Sequence, residues 1–540
     1  MDIRSCKQCQ STFTVTDSDL AFYDKISPTF VGKKYSIPTP TLCPDCRQQR
    51  RLAQQNIRTL YKGKSSLSGK SLISIYSPDK PYTIYTPDER LSDQFDFRSY
   101  GREIDFSTSL LQQFNELYKS VPKRNIILWW GSENCDYVNG VGGSKNSYLI
   151  FNTTEAQDCY YSDSVNFSKN CVDCSFVDKS DHCYMCLDCN WSFNLHFWQD
   201  CSNCADSYYL FNCSNCHHCV ACYNLQNAEY CISNKSYTKE EYEQKKNELL
   251  SHFTLDNFVQ MKKSCVVKNL NIINSENAIG DKIYNSKNIY YSYGIEDGEN
   301  IAYSTILING SKDCYDVDQV GNHISNNYDS TVINRFCSKI YFTYDCRHYC
   351  EDMFYSIACR QCKNVFFCNW LRGKEYCILN KQYTKAEYEQ LVPQIIEKMQ
   401  ADGERWEFFP SSISPFGYNE TLAMEYFPLT KEEALAKWFK RSDYEAPLPK
   451  TDAKDVIICE VSKKQFRLIP QEIEFYKKHN LPQPTKHPDV RHEERMKLRN
   501  PRKLRDRKCA KCSAEIKTSY APERPEIVYC EQCYNREIYG

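Results

Sequence analysis

No apolar run in the sequence approaches the length of a membrane span, and the N-terminal segment Met1 to Cys9 contains no apolar signal segment. The sequence also lacks a phosphate-binding loop, an HExxH motif and a nucleophile elbow. We therefore expect a cytoplasmic protein that is not an enzyme and has no membrane partner. In that compartment its 32 cysteines would be reduced or metal-bound rather than joined in disulfides.

The net charge is only −1, but the charges are distributed unevenly along the chain. Residues 134–230 are strongly acidic, whereas residues 46–70 carry no acid and residues 491–508 are mainly basic. Basic clusters can bind the phosphates of nucleic acids, or they can pack on an acidic surface of the same protein. The candidate nucleic-acid contacts are Arg47, Arg50, Arg51, Arg499, Arg502, Lys503, Arg505, Arg507 and Lys508.

The most regular feature is a run of cysteines from Cys135 to Cys231 that all share one three-residue register, with a period of twelve beneath it. Four columns at this period hold apolar or small residues, and reduced cysteine packs as a small hydrophobe. Asn, Asp and His precede the first column, and Tyr often follows it. The pattern predicts a narrow β-solenoid with a Cys-lined core and about 12 residues per repeat. Coils of about 24 residues, with two repeats per turn, also fit the register.

A second, less regular copy follows, with steps of eleven to thirteen residues between Ala278 and Cys377. Each copy ends in a related segment that enters a helix through a capping box, Thr238 with Glu241 and Thr384 with Glu387. These helices are placed to cover the last coil of each solenoid. The residues from Phe106 to Val121 read as an amphipathic helix that caps the first coil of the first solenoid.

Paired CxxC knuckles near the two ends of the chain predict two zinc ribbons. Two knuckles supply four thiolates for tetrahedral zinc, so we expect about two structural zinc ions per chain. The predicted ligands are Cys6, Cys9, Cys43 and Cys46 in the first ribbon, and Cys509, Cys512, Cys530 and Cys533 in the last.

Two further cysteine groups have to be weighed against these ribbons. Residues 456–491 parallel the first ribbon, but Ser462, His487 and Val490 replace three of its cysteines, so we expect a degenerate, metal-free ribbon. Within the first solenoid, one set has the spacing of a zinc ribbon, although its members also fall in two of the inward columns. This set is Cys201, Cys204, Cys213 and Cys216, and we interpret it as core.

The fold is therefore predicted to be mainly β, with two tandem solenoids, each capped by a helix and flanked by small ribbons. The predicted domains are a zinc ribbon (1–60), a connecting region with the amphipathic capping helix (61–133), the first β-solenoid (134–232), its capping helix (233–264), the second β-solenoid (265–378), a capping helix and linker (379–450), the degenerate ribbon (451–505) and the C-terminal zinc ribbon (506–540).

The run Cys6-Lys-Gln-Cys9 with Cys43-Pro-Asp-Cys46-Arg47 resembles the probable zinc-ribbon domain of bacterial proteins. With the Asn- and Cys-rich centre and the segment Leu498 to Lys503 leading into Cys509, the whole chain resembles a little-characterised family of bacterial multi-zinc-ribbon proteins. The resemblance implies zinc binding and a repeat architecture, and no established reaction. One departure is Ser66, where the resemblance leads us to expect a cysteine.

The favoured function is a non-catalytic, zinc-stabilised binding scaffold that presents an acidic, tyrosine-rich face of the first solenoid to a protein partner. The tyrosines of this face are Tyr148, Tyr160, Tyr184 and Tyr208. The alternative is an RNA- or ribosome-associated protein that binds through its basic ribbons. A β-helix enzyme is less favoured, because Asp158 and Asp206 stand four coils apart. The oligomeric state stays open.

Overall fold

The computed structural model describes residues 2–91, 95–404, 406–445, 456–479 and 481–540. The chain divides into two compact units, each built from two separate segments. Unit I comprises Met1–Asn125 and Leu270–Tyr444, and unit II comprises Ile126–Asn269 and Glu445–Gly540. Each unit therefore combines one solenoid with ribbon-like segments that are distant from it in sequence. The predicted domain boundary between residues 450 and 451 lies outside the described residues.

The helices are short and lie outside the solenoid coils. The α-helices are α1 (Asp17–Ile26), α2 (Pro44–Leu52), α3 (Pro87–Leu91), α4 (Leu110–Ser120), α5 (Lys239–Leu250), α6 (Leu255–Ser264), α7 (Lys385–Ala401), α8 (Leu422–Tyr426), α9 (Lys431–Ala436), α10 (Pro470–Lys478), α11 (Pro488–Lys497) and α12 (Glu531–Ile538). Single turns of 3₁₀ helix span Phe97–Tyr100, Ser411–Ile413 and Tyr418–Glu420. None of the described helices is long and apolar enough to cross a bilayer.

Most strands are short rungs of the two solenoids. In unit II the solenoid strands are Asn139–Gly142, Phe151–Thr154, Asp163–Asn166, Ser175–Asp178, Asp181–Tyr184, Leu187–Asn190, Phe193–His196, Gln199–Ser202, Ala205–Tyr208, His217–Val220, Glu229–Ile232 and Lys235–Ser236. In unit I they are Ile272–Ile273, Glu276–Tyr284, Lys287–Glu296, Glu299–Ala302, Thr305–Ile308, Lys312–Asn322, Ser325–Thr331, Ser338–Tyr341, Glu351–Phe354, Lys363–Phe366, Glu375–Ile378 and Lys381–Gln382.

The remaining strands form small two-stranded sheets. In unit I these are Asp2–Ser5, Thr12–Val15, Thr29–Phe30, Lys33–Lys34, Tyr61–Lys64, Ser71–Ser74, Ile84–Tyr85 and Lys123–Arg124. In unit II they are Val266–Lys268, Ile457–Ile458, Gln465–Phe466, Arg505–Lys508, Glu515–Thr518 and Ile527–Tyr529. The mainly β architecture, with two solenoids and a four-cysteine group near each end of the chain, is as predicted.

Each coil of the first solenoid takes one twelve-residue repeat. Val165 pairs with Val177, Val177 with Cys189 and Cys189 with Cys201, all in parallel register. The backbone pairing therefore excludes coils with two repeats per turn. In the second solenoid some coils hold thirteen residues, since Cys314 pairs with Asn327.

The Asn and Asp column beside the cysteines has a structural cause. A residue in the left-handed region precedes each inward side chain, as Asn146 (φ 49°) precedes Ser147 and Asp158 (φ 53°) precedes Cys159. Asn and Asp tolerate this conformation better than most residues. Their side chains also connect adjacent coils. In the Asn194–Asp206 pair, the amide nitrogen lies 2.7 Å from the carboxylate oxygen.

The solenoid cysteines line the core, as the sequence predicts. Those from Cys159 to Cys231 are buried in one cluster with Val165, Val177 and Leu195, and Cys135 is partly buried against it. Their thiols donate to backbone carbonyls. Cys174 Sγ lies 3.4 Å from both the Val172 and the Cys183 oxygens. These hydrogen bonds give the buried sulfurs polar partners inside an otherwise apolar core.

Helices cover the ends of the solenoids as predicted, with one exception. Thr238 and Thr384 form the capping boxes of α5 and α7, and Tyr242 and Tyr388 of these helices are buried. Helix α4, which we expected to cap the first solenoid, belongs instead to unit I. Its Phe114 stacks on Phe409 and contacts Phe367 of the second solenoid, because α4 supplies apolar residues to the large aromatic cluster of that unit.

Candidate metal centres and ribbon docking

The N-terminal four-cysteine group forms where a hairpin turn meets the start of a helix. Cys6 and Cys9 follow the strand Asp2–Ser5, Cys43 is the N-cap of α2, and Cys46 lies in its first turn. Their sulfurs all lie within 4.8 Å of one another. Pro44 at the first helical position fixes the backbone that orients the second pair.

The C-terminal four-cysteine group repeats this construction. Cys509 and Cys512 lie in the turn after the strand Arg505–Lys508, and Cys530 caps α12, which carries Cys533. These four sulfurs also lie within 4.8 Å of one another. Both predicted ligand sets are therefore assembled in three dimensions.

The sulfur spacing suits tetrahedral metal coordination. Metal–sulfur bonds of about 2.3 Å in a tetrahedron place the sulfurs about 3.8 Å apart. The Cys9–Cys43 sulfurs are 3.7 Å apart and the Cys512–Cys530 sulfurs 3.8 Å. The thiols within each group differ in pKa. Burial raises the pKa of Cys6, and hydrogen bonds with Cys43 and Cys530 raise those of Cys46 and Cys533, whereas Cys43 and Cys509 ionise more readily. A hydrogen bond from the Cys46 thiol lowers the pKa of Cys43 to about 5. Burial opposes ionisation of Cys509, but backbone N–H donors bring its pKa to about 6.

Among the described residues, only these two groups bring three or more potential metal ligands close together. The solenoid set of Cys201, Cys204, Cys213 and Cys216 forms no such group and is buried in the core. In the degenerate ribbon, Cys459 is buried with Phe466 and Val490 in an apolar cluster. That ribbon therefore keeps its fold through side-chain packing.

Three of the basic residues proposed as nucleic-acid contacts are buried inside unit I. Arg47 contacts Asp316 through two nitrogens, each 2.9 Å from a carboxylate oxygen. Arg51, which is fully buried, donates to Asp318 at 2.6 Å and to Asp329 at 2.8 Å. Arg50 lies 3.0 Å from Asp329. The expectation that Arg47, Arg50 and Arg51 face nucleic acid is therefore corrected, because these guanidinium groups dock α2 on the second solenoid.

Unit II contains an equivalent set of buried arginine–aspartate contacts, and we call each of the two sets an arginine clamp. Arg491 and Arg495 of α11 both contact the buried Asp173, Arg495 at 2.8 Å. Arg491 lies over the Tyr161 ring, as Arg47 lies over that of Tyr303. The degenerate ribbon has thus lost three of its four cysteines and kept the arginines that anchor it. Buried charges of this kind need their partners, because either one alone would be uncompensated.

The other candidate contacts lie near the C-terminal ribbon. Arg499 donates to Asp188 at 2.9 Å and lies over Phe176 of the first solenoid. Arg507 donates to the backbone oxygens of Ala521 and Glu526. Arg502 and Arg505 are partly buried, and Lys503 and Lys508 are exposed. Of these five residues, only the two lysines are exposed.

The predicted tyrosine face of the first solenoid is covered within its own unit. Tyr160 and Tyr184 are buried in a cluster with Phe475 and Tyr476 of α10, and Tyr148 packs at its margin. Tyr208 packs against the cluster around Tyr242 of α5. The face is therefore occupied by the degenerate ribbon and the capping helix, which corrects the expectation of a free docking surface.

Sequence reasoning missed a fourth ribbon in the connecting region. The hairpin Tyr61–Lys64 with Ser71–Ser74 matches that of the C-terminal ribbon, and the pairing of Ile84–Tyr85 with Lys123–Arg124 matches that of Ile527–Tyr529 with Val266–Lys268. The positions that correspond to the four cysteines of the C-terminal ribbon are occupied by Ser65, Ser68, Thr86 and Glu89.

Hydrogen bonds replace metal bonds in this ribbon. Ser65 donates to the Glu89 carboxylate at 2.7 Å, and that carboxylate accepts from the Thr86 backbone at 2.8 Å. Hydrogen bonds from Ser68 and then Ser65 hold the pKa of Glu89 at about 2. The knuckle residues are thus Ser65 and Ser68 rather than the Ser66 singled out by the resemblance. The parallel of Tyr76-Ser-Pro-Asp-Lys-Pro with Tyr520-Ala-Pro-Glu-Arg-Pro was the available signal.

No family model matches this chain, and a search of curated proteins found no match. The resemblance to bacterial multi-zinc-ribbon proteins therefore stays a prediction.

Proposed function

We propose that the protein is a non-catalytic, zinc-stabilised binding scaffold of the cytoplasm. The observation that carries this proposal is the pair of four-cysteine groups with sulfur spacings of 3.7 and 3.8 Å. Four thiolates fill a tetrahedral zinc and leave no position for substrate, as in structural rather than catalytic sites. The free thiols of the described cysteines accord with a reducing compartment.

The ribbons support the same proposal through their docking. Buried arginine–aspartate contacts hold the four-cysteine ribbon against the solenoid in unit I and the degenerate ribbon against the solenoid in unit II. Zinc and ion pairs together would thus fix the surface that each unit presents. Rigid repeat surfaces suit binding, because little conformational entropy is lost when a partner docks. Since the tyrosine face is covered, the partner would bind elsewhere on the solenoids.

Metal analysis of the purified chain tests the structural role of zinc. We expect two zinc ions per chain, a loss of one in Cys9→Ser, and no loss in the matched core variant Cys201→Ser. Chelation should lower the melting temperature, because metal binding contributes to folding free energy. A chain without bound metal, or one holding five or more zinc ions, would contradict the proposal.

A further inference from the structure

The irregular coils of the second solenoid build a surface that the first solenoid does not have. Where a coil holds thirteen residues, the extra residue stands at one corner, just before an inward side chain. Cys314 pairs with Asn327, and Ile340 with Met353, across such steps. The inserted residues of three successive coils are His323, Phe336 and Tyr349.

These inserted side chains form an exposed aromatic ladder. The His323 and Phe336 rings stack with centroids 5.2 Å apart, and the Phe336 and Tyr349 rings with centroids 5.3 Å apart. Phe336 is 50% exposed and Tyr349 65% exposed. Aromatic rings stacked on the surface bury little of their apolar area. They therefore contribute little to the stability of the solenoid, and stability does not explain their presence.

An arginine ladder begins beside Phe336 and Tyr349 and continues over the next two coils. Arg347, Arg360 and Arg372 are bridge partners on successive coils, and coils are spaced about 4.8 Å apart. Arg335 lies on the rung before them, next to Phe336. At the equivalent corner of the first solenoid, the bridge partners are Ser202, Ser214 and Gln226. The solenoid fold therefore does not require arginine at this corner.

The arginine corner carries more positive charge than its own acids balance. Arg124 and Arg347 both contact Asp345. Among the described residues, no carboxylate forms an ion pair with Arg335, Arg360 or Arg372. Burial and then the charge of neighbouring Arg347 lower the pKa of Arg360, so an approaching anion would relieve the repulsion between rungs.

We propose that this corner binds single-stranded nucleic acid. Arg335, Arg360 and Arg372 would contact backbone phosphates, while Arg347 is buried against Asp345. The exposed rings of Phe336 and Tyr349 would stack on bases, and this combination is what unpaired strands require. The rings also distinguish this corner from a general polyanion site, because a duplex has no free base faces to offer. The inference builds on the proposed scaffold function by naming its partner.

Fluorescence anisotropy with a labelled oligouridylate of about 16 nucleotides tests the proposal. Binding should weaken steeply between about 50 and 200 mM salt. The variant Arg335→Gln/Arg360→Gln/Arg372→Gln should reduce the salt slope by about 2, since each single-strand phosphate contact contributes about 0.7. The double variant Arg335→Gln/Arg372→Gln changes only exposed side chains and should act in the same direction.

The aromatic arm of the test uses Phe336→Ala/Tyr349→Ala. This variant should bind about 10-fold or more weakly while keeping the wild-type salt slope, because stacking is not electrostatic. A duplex of the same length should bind more weakly than the single strand and should not respond to this variant.

Matched controls remove equal charge or equal aromatic surface elsewhere. Lys287→Gln/Lys312→Gln/Lys363→Gln neutralises exposed lysines of the same solenoid, and Phe167→Ala/Trp191→Ala removes exposed rings of the first solenoid. Both should bind as wild type.

Absence of wild-type binding at low salt would overturn the inference, as would equal losses in the corner variants and their controls. A zinc content of two in every variant separates such a result from failure of the scaffold proposal, which concerns the metal sites.

Discussion

The arginine clamp of unit I allows a quantitative prediction. Arg51 is fully buried and contacts Asp318, Asp329 and Asp316 at 2.6, 2.8 and 3.3 Å. Replacing it in Arg51→Met preserves much of the side-chain volume but leaves buried carboxylates with less compensation. Breaking a buried pair in this way costs about 3–5 kcal/mol.

The structure favours the lower end of that range. After the substitution, Asp318 still accepts from Gln48 and Thr305, each at 2.8 Å, and Asp329 still accepts from Arg50 at 3.0 Å. We therefore expect a loss of about 3 kcal/mol. Adding Asp318→Asn should recover part of it, because one uncompensated charge is removed.

Native-state hydrogen exchange of the full-length protein measures this loss of stability at α2, the helix that carries Arg51. The amides of α2 (Pro44–Leu52) should lose protection, whereas those of α11 (Pro488–Lys497) in unit II should not change. The control Lys431→Met breaks the exposed pair with Asp443 at 3.0 Å, and should cost less than about 1 kcal/mol. If α2 in Arg51→Met keeps its protection within about 1 kcal/mol, the reasoning that the clamp holds the ribbon is refuted.

Three further predictions follow from other parts of the molecule. Burial, and then the charges of His479 and His182, lower the pKa of His196 from 6.5 to about 4. The unfolded chain therefore protonates this imidazole at a higher pH than the folded chain does. The stability present above pH 6.5 should fall by up to about 3 kcal/mol as the pH drops toward 4. Urea titrations across this range check it, and His196→Gln should remove much of the dependence. Cys189→Val should keep two zinc ions and change stability by less than about 1.5 kcal/mol, because Val177 occupies the same column; loss of a metal would show that Cys189 is a ligand. Restoring thiols in the fourth ribbon should raise the zinc content from two to three, measured by metal analysis, and an unchanged content would mean that its backbone differs from that of the four-cysteine ribbons. That variant is Ser65→Cys/Ser68→Cys/Thr86→Cys/Glu89→Cys.

The fourth ribbon shows how a local signal can be lost. Its CxxC positions hold Ser65 and Ser68, so a search for cysteine knuckles passes over it. The backbone retains the fold because hydrogen bonds to Glu89 tie the two turns together where a metal would. Ligand chemistry is therefore a weaker guide to this fold than the hairpin and its flanking proline turn.

For the basic residues, the sequence signal was visible but was assigned to the wrong role. Sequence composition placed Arg47, Arg50 and Arg51 in a basic segment and Asp316, Asp318 and Asp329 elsewhere, but could not pair them. Their partners are more than 260 positions away in sequence. Composition also could not separate these buried arginines from Arg335 and Arg372, which lie on the surface.

The sequence by itself determined the repeat length, the inward columns and the two ligand sets, but left open whether a coil takes one repeat or two. Each of these depends on residues close in sequence or on a strict period, which the fold must repeat at every coil. Only the tertiary structure decided that each solenoid carries its own ribbons and that the tyrosine face is covered. It also decided which arginines are buried in ion pairs and which are exposed on the surface. These outcomes depend on long-range pairing between segments, where buried opposite charges must meet, and no periodicity records such pairs.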